Sequence, residues 1–88
     1  MTHQVTLSRQ ARRALTEELP EAVAVACADF IAGPLAENPQ RVGKQLRAPI
    51  QNLHSAHRGE FGVIYEIFES RVHAHVLSIK HRRDAYRP

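Results

Sequence analysis

Three successive runs in the second half of the chain alternate in polarity and are joined by links of only a residue or two. The runs are Ile50 to Arg58, Glu60 to Glu69 and Arg71 to Ile79. A period of two sends neighbouring side chains to opposite faces of a strand. In the middle run Phe61, Val63, Tyr65 and Ile67 share one face, and Gly62, Ile64 and Glu66 share the other. In the third, Val72, Ala74 and Val76 alternate with His73, His75, Leu77 and Ile79. Links as short as Arg58-Gly59 and Glu69-Ser70 allow only antiparallel pairing. The expectation is a three-stranded meander with one apolar face, and that face must be covered.

The first half supplies the cover. His3 to Leu7 alternates as a short strand. Ser8 then stands at an N-cap position before a helix from Arg9 to Leu19, whose apolar stripe is Ala11, Ala14, Leu15 and Leu19. Pro20 is expected at the first helical position of a second helix, where its missing N–H costs nothing. That helix runs from Glu21 to about Ala32 with Val23, Cys27, Phe30 and Ile31 inward. Gly33-Pro34 should end or kink it. Leu35 to Glu37 can add a turn before Asn38-Pro39, and Gln40 to Pro49 shows no period and is expected to be a loop. The resulting α+β class has the order β-α-α-β-β-β. Two N-terminal helices pack on one face of a small, mostly antiparallel four-stranded sheet, and the other face stays open.

Size and composition narrow the setting. The 88 residues are expected to make one domain, with a thin core. No apolar stretch nears the roughly 20 residues needed to span a bilayer, and Met1 to Gln4 does not open a signal peptide. The single Cys27 cannot form an internal disulfide, which fits a reducing cytoplasm. Between Ala26 and Ala28 it reads as a small core side chain.

The net charge of +3 hides a segregation. Residues 1–39 are acidic on balance. Residues 40–59 carry Arg41, Lys44, Arg47 and Arg58 with no acid. Residues 60–70 hold Glu60, Glu66 and Glu69 with no cation, and residues 71–88 hold five cations against Asp84 alone. If the two basic blocks fold side by side, they make a field that suits an anionic polymer or an acidic partner segment. The open sheet face, or its rim, would carry Arg58, Lys80 and Arg82.

The tail Lys80-His81-Arg82-Arg83-Asp84-Ala85-Tyr86-Arg87-Pro88 gathers phosphate binders, an imidazole and a phenol. Guanidinium and ammonium groups hold phosphate oxygens. Imidazole exchanges protons near neutrality, and a phenol donates a proton or stacks on a base. Such groups can hold and cut an RNA backbone; a solvated basic tail is the plainer alternative. Other side chains divide between structure and chemistry. Tyr65 reads as packing, and Arg9, Arg12 and Arg13 read as a solvated helix face. His54 and His57 fall on opposite faces of their strand. His73 and His75 share a face but find no third ligand at a suggestive spacing, so no metal is expected.

Three motifs in order carry a family resemblance. They are Arg41-Val42-Gly43-Lys44-x-Leu46-Arg47, then Leu53-His54-Ser55-Ala56-His57-Arg58-Gly59-x-Phe61-x-Val63-Ile64-Tyr65, then His81-Arg82-x-Asp84-x-Tyr86-Arg87. Together with Phe30-Ile31-x-Gly33-Pro34-Leu35, they make nearly the whole chain resemble the RelE/ParE toxin superfamily, closest to its actinobacterial RelE branch. The resemblance implies a ribosome-dependent endoribonuclease that cuts mRNA by 2′-hydroxyl attack and needs no cofactor. It implies a cognate antitoxin that wraps the toxin, and contact with operator DNA only through that complex. By carry-over, Arg58, Lys80 and Arg82 clamp phosphate, and His81 or Tyr86 is the proton donor or stacking platform. Lys44, Arg47, His57, Arg83 and Arg87 are RNA-binding positions. Active relatives have arginine where this chain has Gly62, commonly arginine where it has His57, and usually tyrosine where it has Phe61. Loss of one preorganised donor costs on the order of 10²–10³ in rate, so Gly62 implies attenuated cutting unless His57 or Arg58 takes over. Two other readings remain: a catalytically silent homologue that binds antitoxin and, with it, operator DNA, and a ParE-like gyrase inhibitor, against which the Lys80–Arg82 cluster argues.

Overall fold

The structure, a computed structural model, describes residues 2–46, 52–81 and 83. Its sheet has five strands: β1 (Gln4–Leu7), β2 (Lys44–Gln45), β3 (Leu53–Arg58), β4 (Phe61–Phe68) and β5 (His73–His81). They lie in the order β1-β5-β4-β3-β2. β1 runs parallel to β5 and every other pairing is antiparallel. The four-stranded expectation missed β2, an edge strand of two residues inside the stretch expected to be a loop. A strand so short has too few residues to reveal a period. The same stretch also holds the one-turn helix α3 (Pro39–Val42), opened by Pro39.

The helices α1 (Arg9–Arg13) and α2 (Glu21–Phe30) cover one face. Ser8 caps α1, its hydroxyl accepting from the Ala11 N–H at 3.0 Å. Each helix widens into a π turn, at Ala14–Glu18 and Ile31–Leu35. The second contains Pro34 without ending, and helical structure continues to Glu37. A wider turn gives the proline ring and its missing N–H room that an α turn lacks. Pro20 is the residue before α2 rather than its first helical one, with an extended ψ of 148°.

The core lies between these layers. Ala11, Ala14, Cys27, Phe30, Ile31 and Leu35 meet Ala56, Val63, Tyr65, Ile67, Ala74, Val76 and Ile79. Tyr65 is fully buried, and its hydroxyl donates to the Pro39 carbonyl. Ile79 departs from its expected face. Tyr65 pairs with Val76 while Ile64 pairs with Ser78, so β5 carries one extra residue there. This bulge reverses the alternation. Ile79 joins the core at 1% exposure instead of sharing a face with His73 and His75.

Beyond the bulge the outer edge of β5 no longer has a strand beside it. Side chains from the start of α1 take that place. The Ser8 hydroxyl donates to the Leu77 carbonyl at 2.6 Å. Gln10 accepts from the Ile79 N–H at 3.1 Å and donates to the Ile79 carbonyl at 3.3 Å. The C-terminal part of β5, which carries Lys80 and His81, is thereby fixed to the helix layer.

Candidate nucleic-acid interface

Register decides which residues share the open face. Directly paired residues project to the same side of a sheet. His57 pairs with Gly62, and Gly62 with Lys80, so these three form one row on the face away from the helices. The next row is Lys44, Ser55, Ile64 and Ser78. Three cation-forming side chains therefore stand within two adjacent rows that contain no carboxylate. Lys44, His57 and Lys80 are all exposed.

Gly62 is the floor of the first row. A side-chain carbon there would meet only the Lys80 carbonyl oxygen at 3.9 Å and His57 Nδ1 at 4.0 Å, ordinary contact distances. Packing does not demand glycine. The position is buried and lies in its row between His57 and Lys80.

Arg58, Phe61 and His81 form the corresponding row on the helix-bearing face. The Arg58 guanidinium lies over the Phe30 ring, 5.6 Å from its centroid. It also sits close enough to Cys27 to oppose, in part, the rise in thiol pKa that burial causes. His81 meets Phe61 edge-on at 5.2 Å. Its Nδ1 accepts from the Arg83 backbone N–H at 3.1 Å, so a neutral ring carries its proton on Nε2. That Nε2 faces the Glu60 carboxylate at 3.6 Å.

The expectation that Arg58 and Lys80 lie on the open face or its rim holds for Lys80, whereas Arg58 turns to the helix side. They share an end of the sheet but project to opposite sides, because Arg58 pairs with Phe61 and Lys80 with Gly62, one step apart. His81 is on the helix side with Arg58. Arg82, Tyr86, Arg47 and Arg87 lie outside the described residues. Arg83 is exposed at the end of β5. Arg41 had no assigned role in the sequence, though it belongs to the acid-free block. It lines a cleft of about 580 Å³ together with Lys44 and His57 at the β2 edge.

The remaining polar groups are structural. His54 stacks on Tyr65 at 5.6 Å, on the opposite side of β3 from His57. His73 and His75 both hydrogen-bond to the Thr6 hydroxyl, at 2.7 and 2.6 Å, and so tie β1 to β5. Among the described residues no group of three His, Cys, Asp or Glu side chains could hold a metal ion. Nor is any helix among them long and apolar enough to cross a membrane.

No protein-family model matches the chain. Individual proteins do. Toxin RelE of Mycobacterium tuberculosis is 40% identical over 85 residues, which is 97% of this chain and 87% of that protein. Toxin RelG of the same organism is 36% identical over 87 residues, 99% of each. Among solved structures, a chain of the M. tuberculosis toxin–antitoxin complex RelBE2 superposes with a TM-score of 0.85 at 33% identity, covering 93% of this chain and all of that one. The isolated RelE toxin of E. coli superposes at 0.74 with 13% identity, covering 90% and 83%; it supports the fold alone.

Proposed function

The chain belongs to the RelE toxin family, and we propose that it is the toxin of a type II toxin–antitoxin pair, cutting mRNA on the ribosome in the cytoplasm. The observation that carries this reading is the acid-free row His57, Gly62 and Lys80 on the open face, with Lys44 beside it. An exposed ammonium and an exposed imidazole on either side of a backbone floor fit one phosphate of an extended RNA strand.

The reaction needs little covalent help. The 2′-oxygen attacks the adjacent phosphorus, and the bond from phosphorus to the 5′-oxygen breaks. The 2′-hydroxyl gives up its proton and the departing 5′-oxygen receives one, leaving a 2′,3′-cyclic phosphate and a free 5′-hydroxyl. The Lys80 ammonium and an N–H donor of His57 offset the charge that develops on the phosphorane oxygens. His57 takes this task in place of Arg58, whose guanidinium is stacked on Phe30 on the other side of the sheet. His81 stands with Arg58 on the helix side, so of the two candidate proton donors Tyr86 serves the leaving oxygen, and Arg82, Arg83, Arg47 and Arg87 extend the grip along the strand. With glycine at 62 the rate is attenuated, by about 10²–10³ relative to an arginine there. The partner that silences the toxin is a co-expressed antitoxin, through which the pair reaches operator DNA; the similar RelBE2 chain was solved in a toxin–antitoxin complex.

A translation extract with mapped mRNA 5′ ends tests this. The wild-type chain should cut inside codons held in the ribosomal A site, and Gly62→Arg should cut faster. No cuts from either protein, at any concentration that the antitoxin can still neutralise, would reject the nuclease. Gly62 itself favours a second reading, a silent homologue kept for antitoxin binding. That reading gains if Gly62→Arg is no more toxic than the wild type. Altered DNA supercoiling would instead indicate a gyrase inhibitor.

A further inference from the structure

We infer that the cleft at the β2 edge is a second binding site on this chain, one that takes a nucleoside phosphate of the RNA strand beside the position being cut. The inference rests on the nuclease reading only for the identity of the ligand. The cleft itself, about 580 Å³, falls within the roughly 300–1,000 Å³ range of small-molecule sites.

Its walls sort by chemistry. Arg41 comes from the one-turn helix α3, Lys44 from β2 and His57 from β3, three separate elements converging on one space. No carboxylate lines it, and among the described residues no hydrogen bond or ion pair occupies these three side chains. Arg41 and Lys44 stand here beside an imidazole, a positive field that an anion complements. The Ser55 residue adds a hydroxyl, and Val42 and Leu46 add apolar surface. A phosphate suits the two cations and the imidazole, while a ribose or base edge suits the aliphatic wall. A bare inorganic anion would leave that wall unused.

The backbone at this place is held tightly. Gly43 packs closely against Tyr65 and Ser55, and the pairing of Lys44 with Ser55 ties the segment to β3. His57 belongs both to this cleft and to the row with Gly62 and Lys80. A strand seated in the cleft therefore leads directly toward that row.

The test is a titration of the full-length isolated chain with adenosine 5′-monophosphate, followed by amide chemical shifts. The expected result is saturable shifts clustered at Gly43, Lys44, Ser55 and Ala56, weaker at higher salt. Arg41→Ala should weaken binding about tenfold, the usual scale for a lost charged hydrogen bond. Arg9→Ala, an exposed cation on α1, should leave it unchanged. Inorganic phosphate should bind at least tenfold more weakly than the nucleotide. Shifts scattered over the surface, equal binding by the Arg41→Ala variant, or equal affinity for phosphate alone would each overturn the inference. Failure of the two proposals can be told apart. Nucleotide binding at the cleft by a chain that cuts no mRNA would sink the nuclease and keep the site. Normal cutting without nucleotide binding would do the reverse.

Discussion

Gly43 lies so close to Tyr65 that a methyl group on its Cα would fall 2.5 Å from the phenol oxygen. The same methyl would fall 2.7 Å from the Ser55 carbonyl oxygen, which is backbone and cannot swing aside. The glycine of the Arg41-Val42-Gly43-Lys44 motif is thus a packing requirement, whatever its neighbours do with RNA. Gly43→Ala should cost about 1–3 kcal/mol, the range for overpacking a tight site. Urea denaturation measures it. Adding Tyr65→Phe should recover only part, because the Ser55 contact remains.

Tyr65 gives a pH dependence with a definite sign. Burial pushes its phenol from 10.0 up to about 12. In the unfolded chain the phenol ionises near its ordinary value, so the folded state resists losing this proton. The stabilising contribution is whole below pH 10 and is lost as pH climbs through about 12. Unfolding midpoints measured from pH 9 upward should fall more steeply for the wild type than for Tyr65→Phe. At neutral pH the variant should be less stable by about 1 kcal/mol, having lost the bond to Pro39.

Gly62 separates stability from chemistry. Its surroundings accept a Cβ, and glycine in a strand interior is unfavourable by roughly 0.5–1 kcal/mol. Gly62→Ala should therefore raise the urea midpoint while leaving any RNA cutting unimproved. Gly62→Arg should fold equally well. A marked loss of stability in Gly62→Ala would contradict the ordinary contact distances around that Cβ.

Val72 is the one described non-glycine residue in the left-handed region, at φ 49°. A β-branched side chain there stores strain of about 1–3 kcal/mol. Val72→Asn keeps the turn after Glu69–Arg71 and relieves part of that strain. A gain of about 1 kcal/mol in chemical denaturation is expected, with no change in the pairing of β4 with β5 by amide exchange.

Gln10 acts as a stand-in strand for β5. Gln10→Ala leaves the Ile79 N–H and carbonyl without their side-chain partner and should cost about 1–3 kcal/mol. Amide exchange at Ile79 should accelerate more than at Val76, which lies where β5 is flanked by both β1 and β4.

Much of the architecture was legible because two periods, 2 and 3.6, dominate the chain. Val63, Tyr65 and Ile67, with the half-buried Phe61, marked the core face of β4, and Cys27, Phe30 and Ile31 marked the buried stripe of α2 and the π turn after it. What escaped were features with no period. β2 is two residues long, and its existence depends on β3 being nearby. The bulge in β5 leaves no mark among Val76, Leu77 and Ser78, yet it reassigns Ile79. Pro34 looked like a stop and is carried by a π turn. In the candidate site, cation identity was readable and sidedness was not. Arg58 and His57 are adjacent in sequence, and only the hairpin register settles which of them faces the helices. That hairpin turns at Gly59, whose φ of 62° suits the first central position of a two-residue turn.

The extra residue in β5 has a reach beyond Ile79. It sits between the half of the strand that pairs with β1 and the half that ends in Lys80 and His81. Were β5 to pair onward without the bulge, keeping all its residues, Lys80 would fall opposite Phe61 instead of Gly62 and turn to the helix side. A single irregularity, remote from either side chain, thus acts as the switch-point that decides which chemistry meets the outside world.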